Sequence, residues 1–289
     1  MSIASSDTAL PLTPDQQASR FETEFQGTYW RSRRRATALR LALNVAGVLF
    51  FIAAWEAVPR WSSWVNEVLF PPPSQVLQAF WPMLWSGEIG HNIAVSLKRA
   101  ATGFGFAVVL GIAAGLLTAR VRFVQYLLEP LLHGFRAIPT IALVPLCILW
   151  FGIGETAKLA LVTWGAFFPI WITTHIGVRD VNIIYLRSAA CLGAGPFATL
   201  FLVILPAALP FILSGLRQAI AVSLIVLVAA ELSGATAGVA YMMSQGHQLF
   251  RVDIMFIGLA LLGGFGFLAD RIFVAAASWL FPWYDNSAR

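Results

Sequence analysis

Long apolar runs alternate with short polar segments along this chain, and the runs outlast ordinary core helices or strands. The first, over residues 41–58, is long enough to cross roughly 30 Å of hydrocarbon at about 1.5 Å per residue. Similar runs near 100–119, 132–152, 158–178, 207–231 and 254–280 predict five further spans. The fold class expected is all-α: a polytopic transmembrane bundle of six helices occupying residues 39–283. Pro145, Pro169 and Pro210 fall within or near spans, where neighbours can satisfy the carbonyls a proline frees. Gly111 to Gly115 and Gly263 to Gly266 offer small-residue faces for close helix contact.

The polar segments set the orientation. Residues 1–38 read as a cytoplasmic tail, followed by a short C-terminal tail at 284–289 on the same side. Arg31, Arg33, Arg34, Arg35 and Arg40 stand before the first span and place its start in the cytoplasm. Arg120, Arg122, Arg136, Arg179, Arg187, Arg271 and Arg289 then fall on the cytoplasmic side, and Arg60, Lys98, Arg99, Lys158 and Arg251 near the outer side. Lys98 and Arg99 run against the bias and are expected to snorkel outward. Residues 59–92 form an external segment in which Phe70-Pro71-Pro72-Pro73-Ser74 breaks any helix. Ser74 is the expected cap of a short amphipathic helix reaching Leu84, with Val76, Leu77, Phe80 and Trp81 on one side. Trp61, Trp64, Trp81 and Trp85 fit an interfacial aromatic belt.

Composition excludes a soluble enzyme. Hydrophobic residues make up 58% of the chain and charged residues 11%, against roughly a quarter charged in a soluble domain. The net charge of +5 is spread over span ends, not gathered on a nucleic-acid-binding face. Cys147 and Cys191 have no second cysteine or histidine at ligand spacing, so neither a disulfide nor a zinc site is expected. His91, His133, His175 and His247 are scattered without carboxylates at ligand spacing, which disfavours a membrane enzyme. A secondary transporter predicts inverted repeats and buried coupling carboxylates. No clear repeat is present, and acids are scarce in the spans.

Residues 180–206 carry the most information. Leu186, Ala189, Ala190, Gly193 and Phe197 recur at helical spacing and predict one apolar face on a short helix, capped by Asp180 or Asn182. Such a helix either lies on the bilayer surface or inserts into a groove of a cytoplasmic partner.

The spelling of this loop is specific. Arg187-Ser188-Ala189, then Gly193, then Val203-Ile204-Leu205-Pro206 resembles the cytoplasmic loop of binding-protein-dependent ABC importer permeases. That family pattern is Glu-Ala-Ala, three residues, Gly, nine residues, Ile-x-Leu-Pro, and the likeness continues through Pro210 and Gly215-Leu216-Arg217. Arg136-Ala137-Ile138-Pro139, Leu149-Trp150-Phe151-Gly152-Ile153-Gly154-Glu155 and the Phe70 to Ser74 stretch resemble the branch that imports nitrate, sulfonates, taurine and related solutes. The family's leading glutamate is Arg187 here and its first alanine is Ser188, a charge reversal that calls for an acidic residue on the partner.

The resemblance implies a MetI-like type I permease in a bacterial inner membrane, moving a small anion inward by alternating access. It also implies partners: two ATPase subunits holding ATP and magnesium, a periplasmic or lipid-anchored substrate-binding protein, and a second permease copy, most simply in a homodimer. Arg187, Ser188, Ala189, Ala190, Gly193, Leu205 and Pro206 would form the ATPase-coupling element. The same machinery importing a thiamine precursor or an aromatic carboxylate is the alternative. The chain has no phosphate-cradling Gly-x-x-x-x-Gly-Lys-Ser/Thr loop, so ATP hydrolysis is assigned to the partner, and no cofactor is expected on this chain. Candidates for the solute path are the polar residues of the spans: Thr140, Thr163, Arg217, Gln218, Ser223 and Glu231. Arg217 either attracts an anion or serves a structural pair. Glu231, at an outer span end, is expected to be solvated, and Glu155 to sit in a tight external turn. Trp164, Phe167 and Phe168 are read as packing residues.

Overall fold

The computed structural model describes residues 39–40, 42–61 and 66–281. The two tails, with Arg31, Arg33, Arg34, Arg35 and Arg289, and also Trp64, lie outside the described residues. Every regular element described is helical. The chain divides into two units, one up to Glu67 and one from Val68 onward. The first contains α1, Ala42–Trp61, a single apolar helix long enough to cross a membrane. Its Arg60 pairs with Glu56 one turn earlier, at 2.6 Å.

The second unit opens with α2, Pro73–Trp85. Its N-cap is Pro72 and no side chain caps it, because proline at the first position has no N–H to satisfy; the expected Ser74 cap is not the one used. Next come α3, Glu88–Arg120, and α4, Arg122–Arg136. A 3₁₀ turn, Thr140–Leu143, leads into α5, Val144–Phe151. Then follow α6, Glu155–Arg179, α7, Ile183–Cys191, and α8, Pro196–Thr199. A π turn, Leu200–Ile204, joins α8 to α9, Leu205–Leu232. The unit ends with α10, Val239–Gln248, and α11, Val252–Leu280.

Five helical stretches have the length and apolarity of membrane spans: α1, α3, α6, the run Pro196–Leu232 and α11. The sixth is a bent pair, α4 with Thr140–Phe151, which turns through 92°. The expected span at 100–119 starts earlier, at Glu88, and the one at 207–231 starts at Pro196. The one at 132–152 starts earlier, at Arg122, and is broken at residues 137–139. Pro139 accounts for the break: it lacks an N–H and pushes Ile138 out of the helical region.

The core is a sheaf of α3, α6 and α9. The first two run parallel and the third antiparallel to them, at very short separations. A Cβ on Gly111 would lie 2.9 Å from Ile170 side-chain atoms, and one on Gly115 only 2.6 Å from Thr174. On the other side of α6, a Cβ on Gly165 would meet Val226 at 2.7 Å. Polar pins fix the register: Trp171 Nε1 donates to Thr118 Oγ1 at 3.2 Å, and that hydroxyl lies 3.0 Å from His175 Nδ1. By contrast, the Gly263 and Gly264 positions on α11 face open space. A second layer forms where Met83 of α2, Ile89, Val239, Met242, Ile254 and Ile257 bury one another. Much of the outside is apolar, with Leu149, Trp150 and Leu202 all strongly exposed, as lipid-facing helices require.

Candidate functional site

α6 ends and α9 begins at one end of the sheaf, and the connecting loop carries α7. Asn182 starts this helix: its Oδ1 accepts the Ile184 N–H at 2.9 Å. Gly193 stops it, in the left-handed region at φ +76°. The Gly193 N–H donates to Ala190 O and the Ala194 N–H to Ala189 O, both at 3.0 Å. That pair of bonds is a Schellman motif, which a residue with a Cβ enters only under strain.

The expected single apolar face of α7 is divided between inside and outside. Ala189 is 6% exposed, and Leu186 packs on a core cluster of Val178, Ile204, Ala208 and Ile212. Ile184, Tyr185, Leu192 and Phe197 point outward, the last two 87% and 77% exposed. Arg187, Ser188 and Ala190 are exposed with them. The outward surface is thus aliphatic and aromatic with one cation, rather than a face of small residues. Spacing alone could not divide the stripe, because both halves are apolar.

The loop is joined to α9 without a gap. Leu205 N–H donates five residues back, to Leu200 O. Pro206 explains the wider turn: its ring clashes with the carbonyl four residues before it, so the ladder slips by one. Leu205 is half-buried and Pro206 exposed. α8, the π turn and α9 thus form one unbroken helical run, Pro196–Leu232, and the four residues 192–195 link α7 to its start.

At the opposite end of the sheaf a buried polar clamp holds α3, α6, α9 and α10. Arg99 of α3, 4% exposed, forms a bidentate pair with Glu155 at 2.6 Å for both bonds. It also bonds Glu231 at 2.9 Å and Ala237 O at 2.6 Å. Glu231, expected to be solvated, is 1% exposed and accepts from Ser96 Oγ at 2.7 Å and the Ala240 N–H at 3.1 Å. Asn92 and Ser96 accept from the Gly238 and Val239 N–H groups, both at 2.8 Å. Side chains of α3 and α9 thus supply acceptors for the free amides at the start of α10. Arg99 is therefore an internal tie and not a snorkelling surface cation. Glu155 opens α6 in place of a turn, and Lys158 donates to it at 3.4 Å. The sequence holds no signal for pairs so far apart along the chain.

The other polar span residues are dispersed. Thr163 donates to Gly103 O at 3.1 Å and borders a cavity of about 610 Å³ between α3, α4 and α6. Trp164, Phe167 and Phe168, stacked edge to face, line the same cavity. Ser223 donates to Ile220 O within its own helix and borders a second cavity of about 380 Å³ between α3, α9 and α11. Arg217 is held by a bidentate pair with Asp270 of α11, at 2.6 and 2.9 Å. Gln218 is exposed on α9. Thr140 opens the 3₁₀ turn at the break of the bent pair. No group of three or more potential metal ligands occurs among the described residues.

Known proteins are similar to this chain in sequence and in fold. Residues 107–281 match the family described as Binding-protein-dependent transport system inner membrane component. The chain is 31% identical over 252 residues to the taurine transport system permease protein TauC of Escherichia coli K12, covering 86% of this chain and 91% of that one. It is 34% identical over 235 residues to the putative aliphatic sulfonates transport permease protein SsuC of Bacillus subtilis, covering 81% and 85%. Among solved structures, an inward-facing MetNI methionine ABC transporter superposes with a TM-score of 0.53 at 18% identity, over 68% of this chain and 98% of that one. An amino acid ABC transporter gives 0.51 at 15% identity, over 71% and 96%. The structural likeness speaks for the fold, and the sequence match for the lineage. An all-helical chain with five or six candidate spans, and with the loop spelling described above lying inside the matched segment, belongs to the binding-protein-dependent transport system inner membrane components, the ABC importer permeases.

Proposed function

We propose that this chain is the membrane-spanning subunit of an ATP-driven importer for small sulfonate-class anions in a bacterial inner membrane. The observation that carries the reading is identity of 31–34%, over most of both chains, to permeases named for taurine and aliphatic sulfonates. Both termini are cytoplasmic in this reading, and the 180–206 loop faces the cytoplasm. Two copies of the chain frame the solute path. Two ATPase subunits hold ATP and magnesium, and a periplasmic or lipid-anchored binding protein delivers the solute. The chain supplies no catalytic residue of its own.

α7 is the mechanical contact. ATP binding draws the ATPase subunits together and carries the two copies of α7 with them. The continuous helix beyond it tilts α9 and the helices bonded to it, switching the path between outward-open and inward-open. ATP in this way biases a two-state element, through its different affinity for the two states. The exposed Ile184, Tyr185, Leu192 and Phe197 supply apolar anchors for a groove. From Val181 to Ala230 the chain has no acid and two arginines, and Arg217 is already paired, so Arg187 is the charge that α7 itself brings to the docking surface. An acidic groove on the ATPase complements it.

The test is reconstitution of the chain with its ATPase and binding protein in proteoliposomes. Taurine or ethanesulfonate is expected to stimulate ATP hydrolysis only when the binding protein is present. Equal hydrolysis with and without each solute would sink the reading.

A further inference from the structure

α4 has a pattern that a lipid-facing half-span does not need. Arg122, Gln125, Glu129, His133 and Arg136 recur every three or four residues and so lie on one face. Phe123, Leu127 and Leu131, elsewhere on the helix, are exposed and apolar. A charge facing hydrocarbon at the centre of a span costs about 2.5–3.5 kcal/mol, so ionisable groups within spans face water or a partner.

The stripe climbs from the α7 end of the bundle to its middle. The His133 ring lies 5.2 Å from Trp171, and the Phe135 ring 5.6 Å from Trp164. A Cβ on Gly165 would touch the Thr140 methyl at 3.5 Å. Residues 164–171 are the centre of α6, so the break after Arg136 stands roughly 15–20 Å from either end of that helix. The sequence reading had put Arg136 at the cytoplasmic surface; the bent pair carries it to mid-depth.

At this level the span comes apart. Arg136, Ala137, Ile138 and Pro139 are all exposed on this chain. Irregular backbone at membrane depth persists only where protein covers it or where it lines a wet cavity. Interrupted spans of this kind hold the solute site in other transporters. Three other cations of the helices are held by acids: Arg99 by Glu155 and Glu231, Lys158 by Glu155, Arg217 by Asp270. Among the described residues Arg136 has neither a hydrogen bond nor an ion pair, and its stripe neighbour Glu129 lies 3.9 Å from His133.

We propose that Arg136 lines the solute path at the mid-depth break of the α4–α5 span and binds the anionic group of the transported solute. Its planar fork of donors suits the paired oxygens of a sulfonate. This rests on the reading of the chain as an importer of small sulfonate-class anions.

Two measurements on the assembled transporter test it. In the first, Arg136→Gln is expected to assemble with the ATPase as the wild type does and to import ethanesulfonate at least about tenfold more slowly, with Arg136→Lys, which keeps the charge but not the fork, recovering only part of the rate. In the second, Arg136→Cys in a Cys191→Ser background is expected to react with the impermeant anion 2-sulfonatoethyl methanethiosulfonate, and ethanesulfonate is expected to slow the reaction. Import by Arg136→Gln at the wild-type rate overturns the proposal. So does loss of assembly in that variant, which would make the residue structural, or a cysteine at 136 that stays unlabelled. Should the wild-type transporter ignore every sulfonate while the cysteine at 136 is labelled, the importer reading fails and the wet position of Arg136 stands.

Discussion

Glu231 and Arg99 leave water together, and Arg99 is the counter-ion that makes the enclosed carboxylate tolerable, while Glu155 shares in holding Arg99. The carboxylate has three partners, Arg99, Ser96 and the Ala240 amide, and is itself almost fully enclosed. Removing one side of a buried pair strands the other charge, at about 3–5 kcal/mol. Arg99→Met should therefore lower the thermal midpoint of the detergent-solubilised permease severely. Arg99→Met with Glu231→Leu should recover part of the loss, because no unpaired charge then remains, although the Ala240 amide is left without its acceptor. A double variant no more stable than Arg99→Met would show that the clamp is not held by this pair. Gly193 is a different case, since a Cβ there meets nothing within 4 Å and only the backbone objects. Gly193→Ala should cost about 1 kcal/mol through the left-handed cap alone, a small fall in the same thermal midpoint.

At the scale of the element, α7 and the residues that lead from it into α8 have an inner and an outer side whose substitutions should fail differently. Ala189→Asp puts a charge where Ala189 is buried and should reduce the yield of folded protein. Leu192→Asp and Phe197→Ser change only outward side chains, so the permease should fold normally and pull down its ATPase more weakly, by a tenfold loss or more at an anchor position. Co-purification with the ATPase, normalised to folded permease, separates the two. This division was hidden in the sequence, where Leu186, Ala189, Ala190, Gly193 and Phe197 form one helical stripe. The existence of the helix was legible and its cap was narrowed to Asp180 or Asn182, of which Asn182 is the one used, because capping is a local event. α4 was misread for a related reason. Its polar stripe, with Pro130 and Gly134, lowers the local hydropathy to that of a loop, and only the contacts with Trp164 and Trp171 place it beside α6. The long spans were legible because lipid imposes one requirement, apolarity over a fixed length, on every residue of a run. Arg99, Glu155 and Glu231 were not, since nothing local marks which distant acid a span arginine will meet.

Over the whole molecule the clamp and the close glycine contacts make α3, α6 and α9 one body, so motion arriving through α9 moves all three. That body depends on the absence of side chains at specific depths. Gly111→Leu pushes a branched chain into Ile170, where even a Cβ is too close, and overpacking of this kind costs about 1–3 kcal/mol or forces the helices apart. The variant should lose thermal stability and, where folded, lose solute-stimulated ATP hydrolysis, because α3 no longer travels with α6. Gly263→Leu is the matched control, a glycine in an equally apolar span with nothing within 4 Å. Its effect on the thermal midpoint should correspond to no more than about 0.5 kcal/mol. If both substitutions proved equally harmless, α3 and α6 would have to be free to separate, and α7 could not then move the bundle as a unit.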